Sequence, residues 1–142
     1  MKFYRLVSID NFLKGNHKSS IKRLLLNGHR SCIRCGIIAN VVVHHSDGYL
    51  LYHFSEEKCE MLTIDHIVPK SVGGRKKAAA NQQLMCHGCN NKKSNKIELA
   101  TLENVWNNIE DYIVLNRLHV FLHKVITTFP EFVIKQTINV AD

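Results

Sequence analysis

Leu62-Thr63-Ile64-Asp65-His66-Ile67-Val68-Pro69, followed further on by Cys86-His87-Gly88-Cys89-Asn90, is the stretch whose reading decides the fold. Met61 to Val68 is an apolar run rich in β-branched residues, which reads as a strand that Pro69 ends. Near its end a carboxylate, Asp65, stands beside an imidazole, His66. That puts a hard oxygen ligand next to a group that titrates near neutral pH. The later stretch carries a CxxC pair, and a second pair, Cys32-Ile33-Arg34-Cys35, lies fifty residues upstream. Two such knuckles supply the four thiolates that a tetrahedral Zn²⁺ takes. Gly36 after the first knuckle and Gly88 inside the second suit the tight turns required. The competing reading is two unrelated reduced pairs. A disulfide framework predicts an even cysteine count and a secretory signal. Here there are five cysteines, and residues 1–20 lack an apolar core of that kind. Neither pair sits in a thioredoxin-like βαβ pattern, and Cys59 reads as a free thiol without a role.

Working outward, Ser19 and Ser20 are candidate caps for a helical stretch over Ile21 to Leu26, with Asn27-Gly28 as its stop. Ile37 to His45 and Tyr49 to Phe54 read as strands joined by the turn Ser46-Asp47-Gly48. Gly73-Gly74-Arg75-Lys76-Lys77 reads as a mobile basic loop, Gln82 to Met85 as a return strand, and Asn90 onward as a short helix. Leu102, Val105, Trp106, Ile109, Ile113, Phe121, Leu122 and Val125 recur at helical spacing. They predict one long amphipathic helix over about residues 101–128, ended before Pro130. The fold class expected is α+β.

A chain of 142 residues with 45% hydrophobic and 22% charged side chains can bury a core, which excludes wholesale disorder. No run approaches the length of a membrane span, so no membrane is expected among its partners. The net charge of +7 and a pI near 9.3 favour a polyanion. Residues 1–97 hold sixteen basic and six acidic side chains, and residues 98–142 hold three and six. Two parts are therefore expected: a basic working domain over 1–97, and a helical appendage over 98–142 for core packing or dimerisation.

Asp65-His66-Ile67-Val68-Pro69, Gly73-Gly74, Asn81, Cys86-His87-Gly88-Cys89-Asn90 and Lys93 form, with Cys32 and Cys35, an ordered set over about residues 30–97. As a set it resembles the HNH endonucleases of the ββα-metal superfamily. Many members carry histidine directly after the last cysteine; Asn90 instead resembles the HNN variant of the family. The resemblance implies a zinc-stapled ββα-metal motif with a short N-terminal helix and a long C-terminal one. It also implies a metal-dependent endonuclease that cuts DNA, double-stranded on this reading, to 5′-phosphate and 3′-hydroxyl ends.

Hydrolysis of a phosphodiester needs a deprotonated water and stabilisation of charge on the phosphorane. His66 suits the first task as general base, and a divalent cation the second. Asp65 and Asn90 are the expected ligands, and an oxygen-rich pair favours Mg²⁺ or Mn²⁺ beside the structural Zn²⁺. In the family Asn81 bridges the loop and holds the histidine backbone, while Lys93 would contact a phosphate oxygen. Lys70, Arg75, Lys76, Lys77, Lys92 and Lys96 are candidate backbone contacts. Each residue has an ordinary competitor: His66 as one of nine histidines, Asp65 as a turn residue, Asn81 and Asn90 as loop and helix-start residues. His44 and His45 read as surface residues. Two further readings stay open: a zinc-stapled DNA-binding module without turnover, and a nuclease acting on RNA or branched DNA. The reduced cysteines point to a cytoplasmic setting, and small free-standing members of the family suggest a phage-encoded protein acting in a bacterial host.

Overall fold

Short apolar runs between turn residues become the strands of one five-stranded sheet in the computed structural model, which describes residues 3–140. The elements are β1 (Tyr4–Ser8), α1 (Ile9–Lys14), α2 (Ser20–Leu26), β2 (Val41–His45), β3 (Gly48–Phe54), β4 (Cys59–His66), β5 (Gln82–Cys86) and α3 (His87–Lys93). They are followed by α4 (Leu99–Asn107), α5 (Ile109–Tyr112), α6 (Leu118–Thr128) and α7 (Pro130–Val140). Strand order follows chain order, β1 to β5, and β1 to β4 pair antiparallel. His45 pairs with Gly48, so Ser46-Asp47 is the two-residue tip of the expected hairpin.

The chain folds as two compact units. One runs as far as Asp65 and takes in Gln82–Ser94; the other joins His66–Asn81 to the chain from Asn95 onward. Each has its own core. In the first, Val42, Leu51 and Leu62 bury one face of the sheet with Ile9 and Phe12 of α1 and Leu24 and Leu25 of α2. Ser8 and Ser19 cap these helices, accepting from Asn11 and Lys22 amides at 3.2 and 3.1 Å. In the second, Val68 and Val72 pack with Leu102, Val105, Ile113, Phe121 and Val125. The division thus does not fall at residue 97: the basic segment 66–81 belongs with the C-terminal helices.

Two expectations need correction. The single long helix over 101–128 is divided. α4 stops at Asn107, Asn108 leaves the helical region at φ −138 and ψ 43, and Ile113 is extended, fully buried and bridged to Gly74. The side chain of Asn108 bonds back to the Asn104 carbonyl at 2.9 Å, an alternative to the helical ladder that asparagine readily takes. Pro130 ends the apolar pattern as expected, but it also begins α7, where its missing N–H costs nothing. The loop at Gly73–Lys77 is held rather than mobile. The Arg75 amide donates to Tyr112 O and its Nε to Glu110 O, both at 2.8 Å, and the Val114 amide donates to Gly73 O at 2.9 Å. Gly73 has φ +94, and a Cβ on Gly74 would stand 1.8 Å from Val68 O, so neither position takes a side chain without strain. Among the described residues, no helix is long and apolar enough to cross a membrane.

Candidate active site and zinc centre

Each CxxC knuckle is a turn closed on its own sulfur. The Cys35 amide donates to Cys32 Sγ at 3.5 Å and the Cys89 amide to Cys86 Sγ at 3.4 Å. Gly36, at φ +80, lets its own amide return to Cys32 O at 3.0 Å. Cys86 ends β5 and caps α3, and the Ile33 amide donates to Leu84 O at 3.0 Å, tying the first knuckle to the strand that carries the second. The four sulfurs lie within 4.8 Å of one another, with Cys35 and Cys86 3.7 Å apart, and none is in a disulfide. Zn–S bonds of about 2.3 Å in a tetrahedron put sulfurs about 3.8 Å apart, so the cluster fits a zinc ion. Burial, the largest influence on Cys32, pushes its thiol up. Backbone hydrogen bonds with Cys35, Cys86 and Arg34 and the Cys35 side chain outweigh it and bring the group down to about 6. Cys89 is pushed up to about 12, first by burial and then by its bonds to Cys86, Cys32 and Cys35. Burial likewise raises Cys86.

On β4, Asp65 is buried. Gln83 Nε2 donates to its Oδ2 at 2.9 Å, and the Lys93 ammonium lies 3.1 Å from Oδ2 and 3.2 Å from Oδ1. Asn90, in α3, donates from Nδ2 to Thr63 Oγ1 at 2.9 Å, and that hydroxyl donates to Met85 O at 3.1 Å. With its nitrogen engaged, the amide oxygen of Asn90 is the atom a cation would take. Lys93 departs from the expectation for it: a side chain foreseen at a phosphate is instead buried against Asp65. A carboxylate taken out of water requires a counter-charge, and the last turn of α3 supplies one.

In the other unit, His66 Nε2 lies 2.8 Å from the Lys76 carbonyl. A carbonyl only accepts, so Nε2 carries a proton and Nδ1 is the basic nitrogen of the neutral ring. Asn81 is fully buried, its Oδ1 accepting from the Val68 amide at 2.8 Å. Its Nδ2 donates to Val68 O at 3.0 Å and Arg75 O at 2.8 Å, and its carbonyl accepts from the Ile67 amide at 3.0 Å. One side chain therefore closes the loop that starts just after His66. Lys70, Lys76, Lys77, Lys92 and Lys96 are exposed, and Arg75 is half-buried with its Nε spent on Glu110. Gln83 and Thr63 were not singled out from sequence; only the pairing of β4 with its neighbours reveals them.

The family model for HNH endonuclease matches residues 51–96. That span runs from β3 through α3 and takes in Asp65, His66, Asn81, Asn90 and the second cysteine pair. The likeness to HNH endonucleases thus covers about a third of the chain, and the cluster of Cys32 and Cys35 from outside that span with Cys86 and Cys89 from within it fits a zinc site. Neither a curated protein nor a solved structure matches the chain.

Proposed function

We propose that the protein is a metal-dependent endonuclease that hydrolyses duplex DNA, with His66 as general base and Asp65 and Asn90 as protein ligands of Mg²⁺ or Mn²⁺. The observation that carries the reading is the bond between His66 Nε2 and Lys76 O. It fixes the tautomer whose Nδ1 takes a proton from water, and the carbonyl steadies the imidazolium that results. Asn81 supports this by holding Val68, two residues on, through both its amide and its carbonyl. Asp65 and Asn90 offer hard oxygens, the donor type that suits these ions. When bound, the cation would stabilise negative charge on the phosphorane and the leaving 3′ oxygen. Duplex DNA as substrate is supported by the basic excess of residues 1–97 and by the exposed lysines of segment 66–81.

Incubation with supercoiled plasmid in Mg²⁺, Mn²⁺ or EDTA tests this reading. Wild type is expected to cut with metal and to stop in EDTA. His66→Ala is expected to lose at least about a hundredfold in rate, as for removal of a general base, at unchanged zinc content. Equal cutting by the variant would sink the assignment of His66. No metal-dependent cutting by wild type would favour a binding module without turnover.

A further inference from the structure

The ammonium of Lys93 occupies the face of the Asp65 carboxylate that its two oxygens share. It lies within 3.2 Å of both carboxylate oxygens, Gln83 takes a share of one of them, and both charged side chains are almost wholly inside the protein. Water cannot screen charges so placed, and a divalent ion on that carboxylate would repel the ammonium strongly. Occupancy by metal and the Lys93–Asp65 pair therefore oppose one another. Yet the carboxylate cannot be left bare, since a buried, unpaired charge is costly. Lysine suits both requirements. Its ammonium is a point charge on a flexible stem that can withdraw, whereas an arginine fork would lock onto the carboxylate through two bonds.

We propose that Lys93 is a positioning residue that competes with the catalytic cation: it holds the Asp65 carboxylate in place until metal binds, yields it on metal binding, and so sets the metal affinity. This rests on the reading of Asp65 as a metal ligand. The apparent affinity is then the intrinsic one reduced by the fraction of molecules in which the carboxylate is free of Lys93. A protein that keeps the pair formed in nine molecules of ten binds metal about tenfold more weakly than one without the lysine.

The test is calorimetric titration of the zinc-loaded protein with Mn²⁺, in wild type, Lys93→Met, Lys93→Gln and Asp65→Asn. Lys93→Met and Lys93→Gln are expected to bind Mn²⁺ at least about tenfold more tightly than wild type. Their melting temperatures should also rise more on adding Mn²⁺, because the ion fills a carboxylate left uncompensated. Asp65→Asn is expected to bind none. Should both lysine variants fail to retain zinc, the wild type still decides the matter. Mn²⁺ should expose Lys93 to an amine-acetylating reagent, read by peptide mass spectrometry, and unchanged labelling overturns the proposal. Lysine variants that bind Mn²⁺ no better than wild type, while Asp65→Asn abolishes binding, overturn the role of Lys93 and leave the metal-site reading standing. Mn²⁺ binding by Asp65→Asn equal to wild type sinks the metal-site reading itself.

Discussion

Asn81 shows how much one uncharged side chain can hold. Its amide satisfies the Val68 N–H and carbonyl and the Arg75 carbonyl, at a position without solvent. Replacing it by alanine leaves three backbone groups unpartnered, each costing about 1–3 kcal/mol when buried. Asn81→Ala is therefore expected to lower stability by about 3 kcal/mol or more, seen as a lower denaturation midpoint. Amide exchange should quicken at Val68 ahead of the strands of the first unit; protection at Val68 unchanged from wild type would refute the bridging role. At this scale the order and spacing of Asp65, His66, Asn81 and Asn90 were legible in the sequence, because they stand in the chain itself. The engagement of Asp65 by Lys93 and Gln83 was not. Residues 65, 83 and 93 meet only because β4, β5 and α3 fold onto one another, and nothing in local pattern sets a lysine ammonium on a carboxylate rather than at the surface.

The elements that carry the candidate site residues are short, and the two cysteine knuckles tie them together. α3 has seven residues, too few to be stable alone, and begins on a cluster cysteine. Acid should undo this arrangement, and the sign follows from the thiols. Zinc takes thiolates, so Cys89, pushed up to about 12, and Cys86, also raised, must each give up a proton to the solvent on binding. Cys32, held down at about 6, already carries its negative charge at pH 7 and is reprotonated only below about 6. A depressed group of this kind favours the folded state above its unfolded value and ceases to do so as pH falls through the folded one. Zinc affinity should thus fall as pH falls, with release and unfolding together on acidification below about pH 6, measured by a colorimetric chelator alongside circular dichroism. Retention of zinc to pH 4 with an unchanged melting temperature would refute it. The hairpin, β4, β5 and the helix at 20–26 could be read beforehand, since each has a run of apolar residues bounded by turn chemistry. β1 could not: as an edge strand with no buried residue it carries no apolar periodicity. The C-terminal helices misled for the opposite reason. Their apolar positions keep helical spacing through Asn108 and Ile113, where the backbone turns aside to bridge Gly74.

Across the whole molecule, the sixteen basic side chains of residues 1–97 against three beyond them are a statement about partners rather than about fold. Lys70, Lys76 and Lys77 are exposed and sit on a segment anchored to its own unit by Arg75, by the Gly74–Ile113 bridge and by Arg117, which donates to Lys70 O at 2.7 Å. Anchoring matters electrostatically, because cations held in place lose less freedom on meeting a phosphate chain than cations on a loose tip. Each phosphate neutralised on duplex DNA releases counterions and adds about 0.9 to the steepness of log affinity against log salt. If all three lysines contact phosphates, Lys70→Ala, Lys76→Ala and Lys77→Ala combined should reduce that slope by about 2.7, and each alone by about 0.9. The loss should be the same for unrelated duplex sequences, since phosphate contacts carry no base information. Fluorescence anisotropy between 50 and 200 mM salt, in Ca²⁺ to hold back cleavage, reads the slope directly. An unchanged slope in the triple variant would move the DNA-binding face away from segment 66–81, and a change confined to one sequence would make these lysines readers of bases instead.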